Sequence, residues 1–128
     1  MFTFIDMSSF NFRDRILSFK YAIKGIKAVI WAEHNFRIHL AAALFVVALG
    51  LYFKVSSQDW LWLILAIALV LLTEMINTAI EKLVDLAEPN HNPDAGKIKD
   101  IAAGAVLVAA ITSAIIGIMI LWPYFCLN

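Results

Sequence analysis

From Trp60 to Leu72 the chain runs thirteen residues with no polar side-chain group beyond the indole N–H groups of Trp60 and Trp62. The next stretch, Thr73-Glu-Met-Ile-Asn-Thr-Ala-Ile-Glu-Lys-Leu-Val-Asp85, continues the apolar pattern but adds Glu74, Asn77, Glu81 and Asp85. At about 100° per residue these four side chains fall on one narrow face of a helix. An ionised carboxylate inside a bilayer costs about 2.5–3.5 kcal/mol by insertion scales, and more by other measures. Such a stripe needs a metal, another cation or a partner helix to compensate it. It is therefore the first candidate for a functional site.

Composition sets the class. The chain has 128 residues, of which 62% are hydrophobic and 16% charged, and its mean hydropathy is +0.83. These values place the chain among membrane proteins, and the helical patterns below make the expected class all-α integral membrane. The net charge is zero, which argues against a nucleic-acid partner. A single cysteine, Cys126, excludes an intrachain disulfide framework and a thiolate metal cluster, and it reads as a small apolar residue. Met1 to Phe10 has no basic segment followed by an apolar run and a small-residue cleavage site, so the first span is expected to stay in the mature protein.

Residues 1–10 are mixed and predict no element. From about Phe12 to Glu33, Phe12, Ile16, Phe19, Ile23, Ile26 and Ile30 recur at three and four, with Lys20, Lys24 and Lys27 on a neighbouring face. That is a basic amphipathic helix suited to the headgroup layer. Trp31 to His39 reads as an interfacial elbow, with Trp31 as a belt residue and Arg37 as a snorkelling anchor.

Three spans follow, over about 36–53, 60–80 and 101–125. A polar turn, Lys54 to Asp59, separates the first two, and a Pro/Asn/Gly-rich loop, Glu88 to Gly96, follows the second. Alanines and Gly104 give the third span a small-residue face for close packing, and Trp122 and Tyr124 end it in an aromatic belt. Nothing divides residues 1–128, which are expected to form one membrane-embedded domain. Nine of the ten Lys and Arg residues lie before the first span or between the second and third, and Lys54 alone lies on the other side. The N-terminus and the loop after span two are thus expected in the cytoplasm and the C-terminus outside.

This topology brings Glu33, the Glu74–Asp85 stripe and the loop to one interface. Glu33 and Glu81 could share a Mg²⁺, which takes one or two carboxylates and fills its other positions with water and phosphate oxygens. Glu74, about two turns deeper, could act as general base on the hydroxyl of a membrane lipid. Lys99 could neutralise phosphate charge, and Asp100 is expected to cap the third span. Phosphoryl transfer needs mainly positioning and charge neutralisation, and these residues supply both. There is no GxxxxGK[ST] loop, no GxSxG motif, and no zinc-ligand spacing among His34, His39 and His91, which read as interfacial polar residues. The residues alone leave three readings open: a phosphotransferase, a polar seam between protomers, and a small transporter or channel subunit.

The motif Glu74-x-x-Asn77-Thr-Ala-Ile-Glu81-x-x-Val84-Asp85, followed by Lys99-Asp100, resembles the prokaryotic diacylglycerol kinase family. Glu33-x-Asn35-Phe36-Arg37-x-His39 and Tyr21-x-x-Lys24-Gly25 fit the same family, and the resemblance covers about residues 11–122. It implies three transmembrane helices plus an N-terminal amphipathic surface helix, assembled as a homotrimeric bundle in the bacterial plasma membrane. It implies an ATP-dependent lipid kinase that uses Mg²⁺, with Glu74 as base and Glu33 and Glu81 as metal ligands. Asn77, Lys99 and Asp100 match positions tied to catalysis and phosphate binding. Tyr21, and the loop residues Asn90, His91 and Asn92, match nucleotide-contacting positions. Asp14, between Arg13 and Arg15, stands where the family has an arginine. The segments Asn35 to His39, Leu72 to Glu81 and Ala102 to Val106 look closer to the undecaprenol kinase branch than to the diacylglycerol kinase branch.

Overall fold

The structure, a computed structural model, describes residues 11–127, so the expectations for residues 1–10 lie outside it. Among the described residues there are four helices: α1 Phe12–Ala32, α2 His34–Phe53, α3 Ser57–Ala87 and α4 Pro93–Leu127. The last three are long and apolar enough to cross a membrane.

Helix α1 starts at Asn11, whose side-chain oxygen accepts from the Arg13 N–H at 3.1 Å. None of its residues is buried, and Phe12, Ile16, Phe19, Ile23 and Ile26 of its apolar stripe stay exposed. The expected elbow narrows to one residue, Glu33, in an extended conformation with φ −111° and ψ 115°. Its N–H closes α1 on the Val29 carbonyl at 2.9 Å, and its own carbonyl accepts from Arg37 N–H at 3.4 Å. Helix α2 thus begins two residues earlier than the predicted span.

Between α2 and α3 the expected six-residue turn shrinks to Lys54, Val55 and Ser56. Lys54 adopts the left-handed conformation, with φ 51°. Lys54 N–H bonds the Leu51 carbonyl at 3.3 Å, and Val55 N–H bonds the Gly50 carbonyl at 3.1 Å. This is the Schellman arrangement, and buried Val55 supplies its usual hydrophobic contact. Ser56 then caps α3, accepting from Asp59 N–H at 3.1 Å.

The connection after α3 is also shorter than predicted, Glu88 to Asn92. Asn92 accepts from the Asp94 N–H at 2.9 Å through its side chain, and Pro93 opens the helix. Asn before Pro is a cap followed by a first-turn residue that needs no N–H partner. This corrects the expectation that Asp100 caps the third span: Asp100 lies in the interior of α4, exposed, past its first turn.

Helices α3 and α4 have 31 and 35 residues. At 1.5 Å per residue they are about 46 and 52 Å long, so each overruns a hydrocarbon core of about 30 Å by roughly three to four turns. The two run antiparallel with a steady register. Lys99 pairs with Asp85 at one end, Ser113 Oγ donates to the Ala66 carbonyl at 2.7 Å in the middle, and Tyr124 Oη donates to Asp59 at 2.6 Å at the other.

The tightest packing is at the Lys54–Ser56 end. There Val55, Leu63 and Leu121 form a buried cluster beneath Trp60, Phe53 and Tyr124. Gly50 belongs to this end, and a Cβ there would meet the Trp60 ring at 2.7 Å. Gly50→Ala should lower the thermal unfolding midpoint in detergent, because overpacking costs about 1–3 kcal/mol against a helix-propensity gain of at most about 1 kcal/mol. An unchanged or raised midpoint would mean that the indole swings aside freely.

Candidate active site at the loop end of the bundle

The carboxylate stripe is resolved into separately compensated groups. Glu74 is 4% exposed, the deepest polar residue in α3 together with Thr78. Its Oε1 lies 3.3 Å from Nε2 of His39, which reaches across from α2. One turn on, the Thr78 hydroxyl donates to the Glu74 carbonyl at 3.0 Å. Asn77 Nδ2 donates to Glu81 Oε1 at 3.1 Å, the pairing expected of residues four apart on a helix. Lys99 of α4 pairs with Asp85 near the connection. Each acidic group of the stripe thus has a partner from within the chain.

Glu33, at the α1–α2 joint, and Glu81 are both near enough for their charges to act on Glu74, as does His39. The topology therefore gathers three carboxylates from two places in the sequence, 41 or more positions apart, at one end of the bundle. Glu33, Asn77 and Glu81 are half-buried. A single chain buries Glu74 and leaves Asn77 and Glu81 partly open.

The other residues singled out above lie around this cluster. Tyr21 is exposed on α1, and His91 and Asp100 are exposed at the connection and on α4. Among the described residues none of these three makes a hydrogen bond or ion pair with the cluster. Asn90 N–H donates to Glu88 Oε1 at 3.2 Å, and Asn92 is engaged as the cap of α4. Lys99, read as a phosphate-neutralising cation, is held beside the stripe by its pairing with Asp85.

Among the described residues one buried side-chain acceptor is unsatisfied: Asn77 Oδ1, on the amide whose Nδ2 bonds Glu81. A buried orphan oxygen and the carboxylate of the same pair are hard donors of the kind Mg²⁺ takes. No group of three or more His, Cys, Asp or Glu among the described residues could hold a metal by itself. The residues present fit an ion that keeps several positions for water and phosphate, and not a closed structural metal.

A residue passed over in the sequence completes the cluster. His39 was read as an interfacial polar group, yet it shares the inner face of α2 with buried Phe36 and Ala43, at three and four residues' spacing. That spacing was the available signal. His39 also stands in an apolar groove of about 290 Å³ between α2, α3 and α4, lined among others by Ala43, Ala66, Ser113, Ala114 and Gly117. Small side chains on three helices leave this space. A second groove of about 300 Å³ shares Val46, Ser113, Ala114 and Gly117 with it and reaches Phe125. The first groove is thus lined by His39, the partner of the buried base candidate, and by Val70, one turn before Glu74 on α3.

Comparison with known proteins identifies the family. Residues 20–121 match the model of the family described as prokaryotic diacylglycerol kinase. The undecaprenol kinase of Bacillus subtilis (strain 168) is 42% identical over 106 residues, covering 83% of this chain and 86% of that relative. The diacylglycerol kinase of Helicobacter pylori (strain J99) is 36% identical over 128 residues, covering 93% and 99%. The diacylglycerol kinase of Escherichia coli (strain K12) is 32% identical over 105 residues, covering 82% and 86%. A match over most of the chain's length, and relatives at these identities, show that the chain belongs to the prokaryotic diacylglycerol kinase family.

Proposed function

We propose that this chain is an ATP-dependent lipid kinase whose acceptor is undecaprenol, working as a homotrimer in the bacterial plasma membrane. The observation that carries the kinase reading is the position of Glu74. It is buried against His39, which lines the apolar groove, with Asn77 and Glu81 one and two turns nearer the polar connection. A lipid tail in the groove brings its hydroxyl to the carboxylate, while a nucleotide approaches from the loop end.

In this reading Glu74 takes the proton of the lipid hydroxyl as its oxygen attacks the γ-phosphorus, and ADP leaves with the bridging oxygen. Glu33, Glu81 and the free oxygen of Asn77 are the groups that would hold Mg²⁺, which when bound supplies charge neutralisation on the phosphates. Lys99 adds a cation at the same end, steadied by Asp85. Tyr21, Asn90, His91 and Asn92 serve the nucleotide, and Asp100, exposed on α4 next to Lys99 in sequence, acts at the same end. The greater identity to a relative named undecaprenol kinase than to those named diacylglycerol kinase supports the choice of acceptor. The half-exposed state of Asn77 and Glu81 supports a trimer, since a neighbouring protomer would cover what one chain leaves open.

The uncovered apolar stripe of α1, flanked by Lys20, Lys24 and Lys27, supports a helix lying in the headgroup layer. The distribution of Lys and Arg supports a cytoplasmic position for that helix, the connection and the site, with the C-terminus outside.

Purified enzyme given Mg-ATP should phosphorylate undecaprenol in preference to diacylglycerol when the two are assayed side by side. The reverse preference would move the chain to the phosphatidic-acid-forming branch, and no transfer to either would remove the kinase reading. Glu74→Gln should remain folded and lose about 10²–10⁴ in kcat, the usual worth of a positioned base. Turnover near that of the wild type would remove Glu74 from this role. Glu81→Ala should raise the Mg²⁺ concentration needed for half-maximal rate, and an unchanged requirement would count against ligation.

A further inference from the structure

The family resemblance pointed to Glu74, Glu33, Glu81, Asn77, Lys99 and Asp100, and it left His39 without a role. The structure assigns His39 one: we propose that it is the positioning residue that orients the Glu74 carboxylate toward the acceptor hydroxyl. This rests on the reading of Glu74 as the base.

Four observations carry it. First, His39 Nε2 lies 3.3 Å from Glu74 Oε1, across the contact between α2 and α3. Second, among the described residues no other side chain makes a hydrogen bond or ion pair to the Glu74 carboxylate. Third, the imidazole is held from its own helix: buried Phe36 and Ala43 pin the face of α2 that presents it. Fourth, His39 both lines the apolar groove and touches Glu74, so it stands between the groove and the carboxylate that the acceptor hydroxyl has to reach.

A carboxylate on a flexible glutamate stem can offer either oxygen over a wide arc. With Oε1 set against the imidazole, Oε2 is the oxygen left to receive the proton of the hydroxyl. Fixing that choice before the substrate arrives removes a reorientation from the reaction. A displacement of about 1 Å at such a group costs up to about a hundredfold in rate. The competing reading is an ion pair that merely holds α2 against α3, and it predicts a loss of fold without a selective loss of rate.

The test uses the full chain in detergent with Mg-ATP and undecaprenol. His39→Ala should fold and keep the wild-type oligomeric state, with kcat reduced about ten- to a hundredfold and KM for both substrates unchanged. His39→Gln, whose amide nitrogen reaches about as far as Nε2, should recover most of kcat. If His39→Ala does not fold, His39→Leu fills the volume of the ring without a donor and takes its place. An unchanged kcat, a change confined to KM, or failure of the glutamine variant to recover the rate would each overturn the proposal. Glu74→Gln is measured in parallel to separate the two readings. If it turns over normally, the base assignment fails. If it is inactive while folded His39→Ala turns over normally, only the role of His39 fails.

Discussion

An acidic side chain enclosed in an apolar bundle is the constraint on which the rest of this structure depends. Glu74 is buried by helices that otherwise present aliphatic side chains to one another. Inside a bilayer such a group is costly unless a partner reaches it. The partner is on a different helix, so compensating Glu74 requires α2 to lie against α3 in one register, with His39 level with Glu74. The α1–α2 joint follows from this, because it places Glu33 at the same end. So does the short turn at Lys54, which returns the chain directly beside itself.

The bundle divides its work between its two ends. At the turn end, Val55, Leu63 and Leu121 pack under aromatic rings, and Tyr124 ties α4 to α3 through Asp59. At the connection end, contacts between helices are polar: His39 with Glu74, Lys99 with Asp85. Between them, alanines, Ser113 and Gly117 keep the helices close on one side and leave an apolar groove on the other. In a membrane there is no hydrophobic drive between helices, so packing and interhelical polar contacts set their arrangement. A firmly packed end can hold the helices while the other end keeps unsatisfied and half-exposed groups for ligands. Asn77 Oδ1 is the clearest of these, a buried acceptor left open on the amide that bonds Glu81.

Helix α1 obeys a different rule. None of its residues is buried, and large apolar side chains along one stripe are left to its surroundings. In water that stripe would demand a protein partner, whereas at a bilayer surface the acyl boundary is itself the partner. Its single-residue joint at Glu33 lets the chain turn from that helix into the first span without a loop.

Much of this protein was legible in its sequence, because the patterns involved are local. The apolar runs determine helices long enough to span, the three-and-four spacing of Phe12 to Ile30 falls within a helix whose stripe stays exposed, and the Glu74–Asp85 stripe marks the candidate site. The one cap expected from the sequence, Asp100, is the eighth residue of the helix it was to cap, and Asn92 before Pro93 holds that place instead. What only the tertiary structure decided is which compensating group meets which carboxylate. His39 and Glu74 are 35 positions apart, and Lys99 and Asp85 are 14 apart. Helical periodicity reports the face on which a residue lies, but not which helix that face meets or at what height. Those depend on the length of two turns and on small side chains from three helices fitting together, and they turned a histidine read as an interfacial residue into the partner of the buried acid.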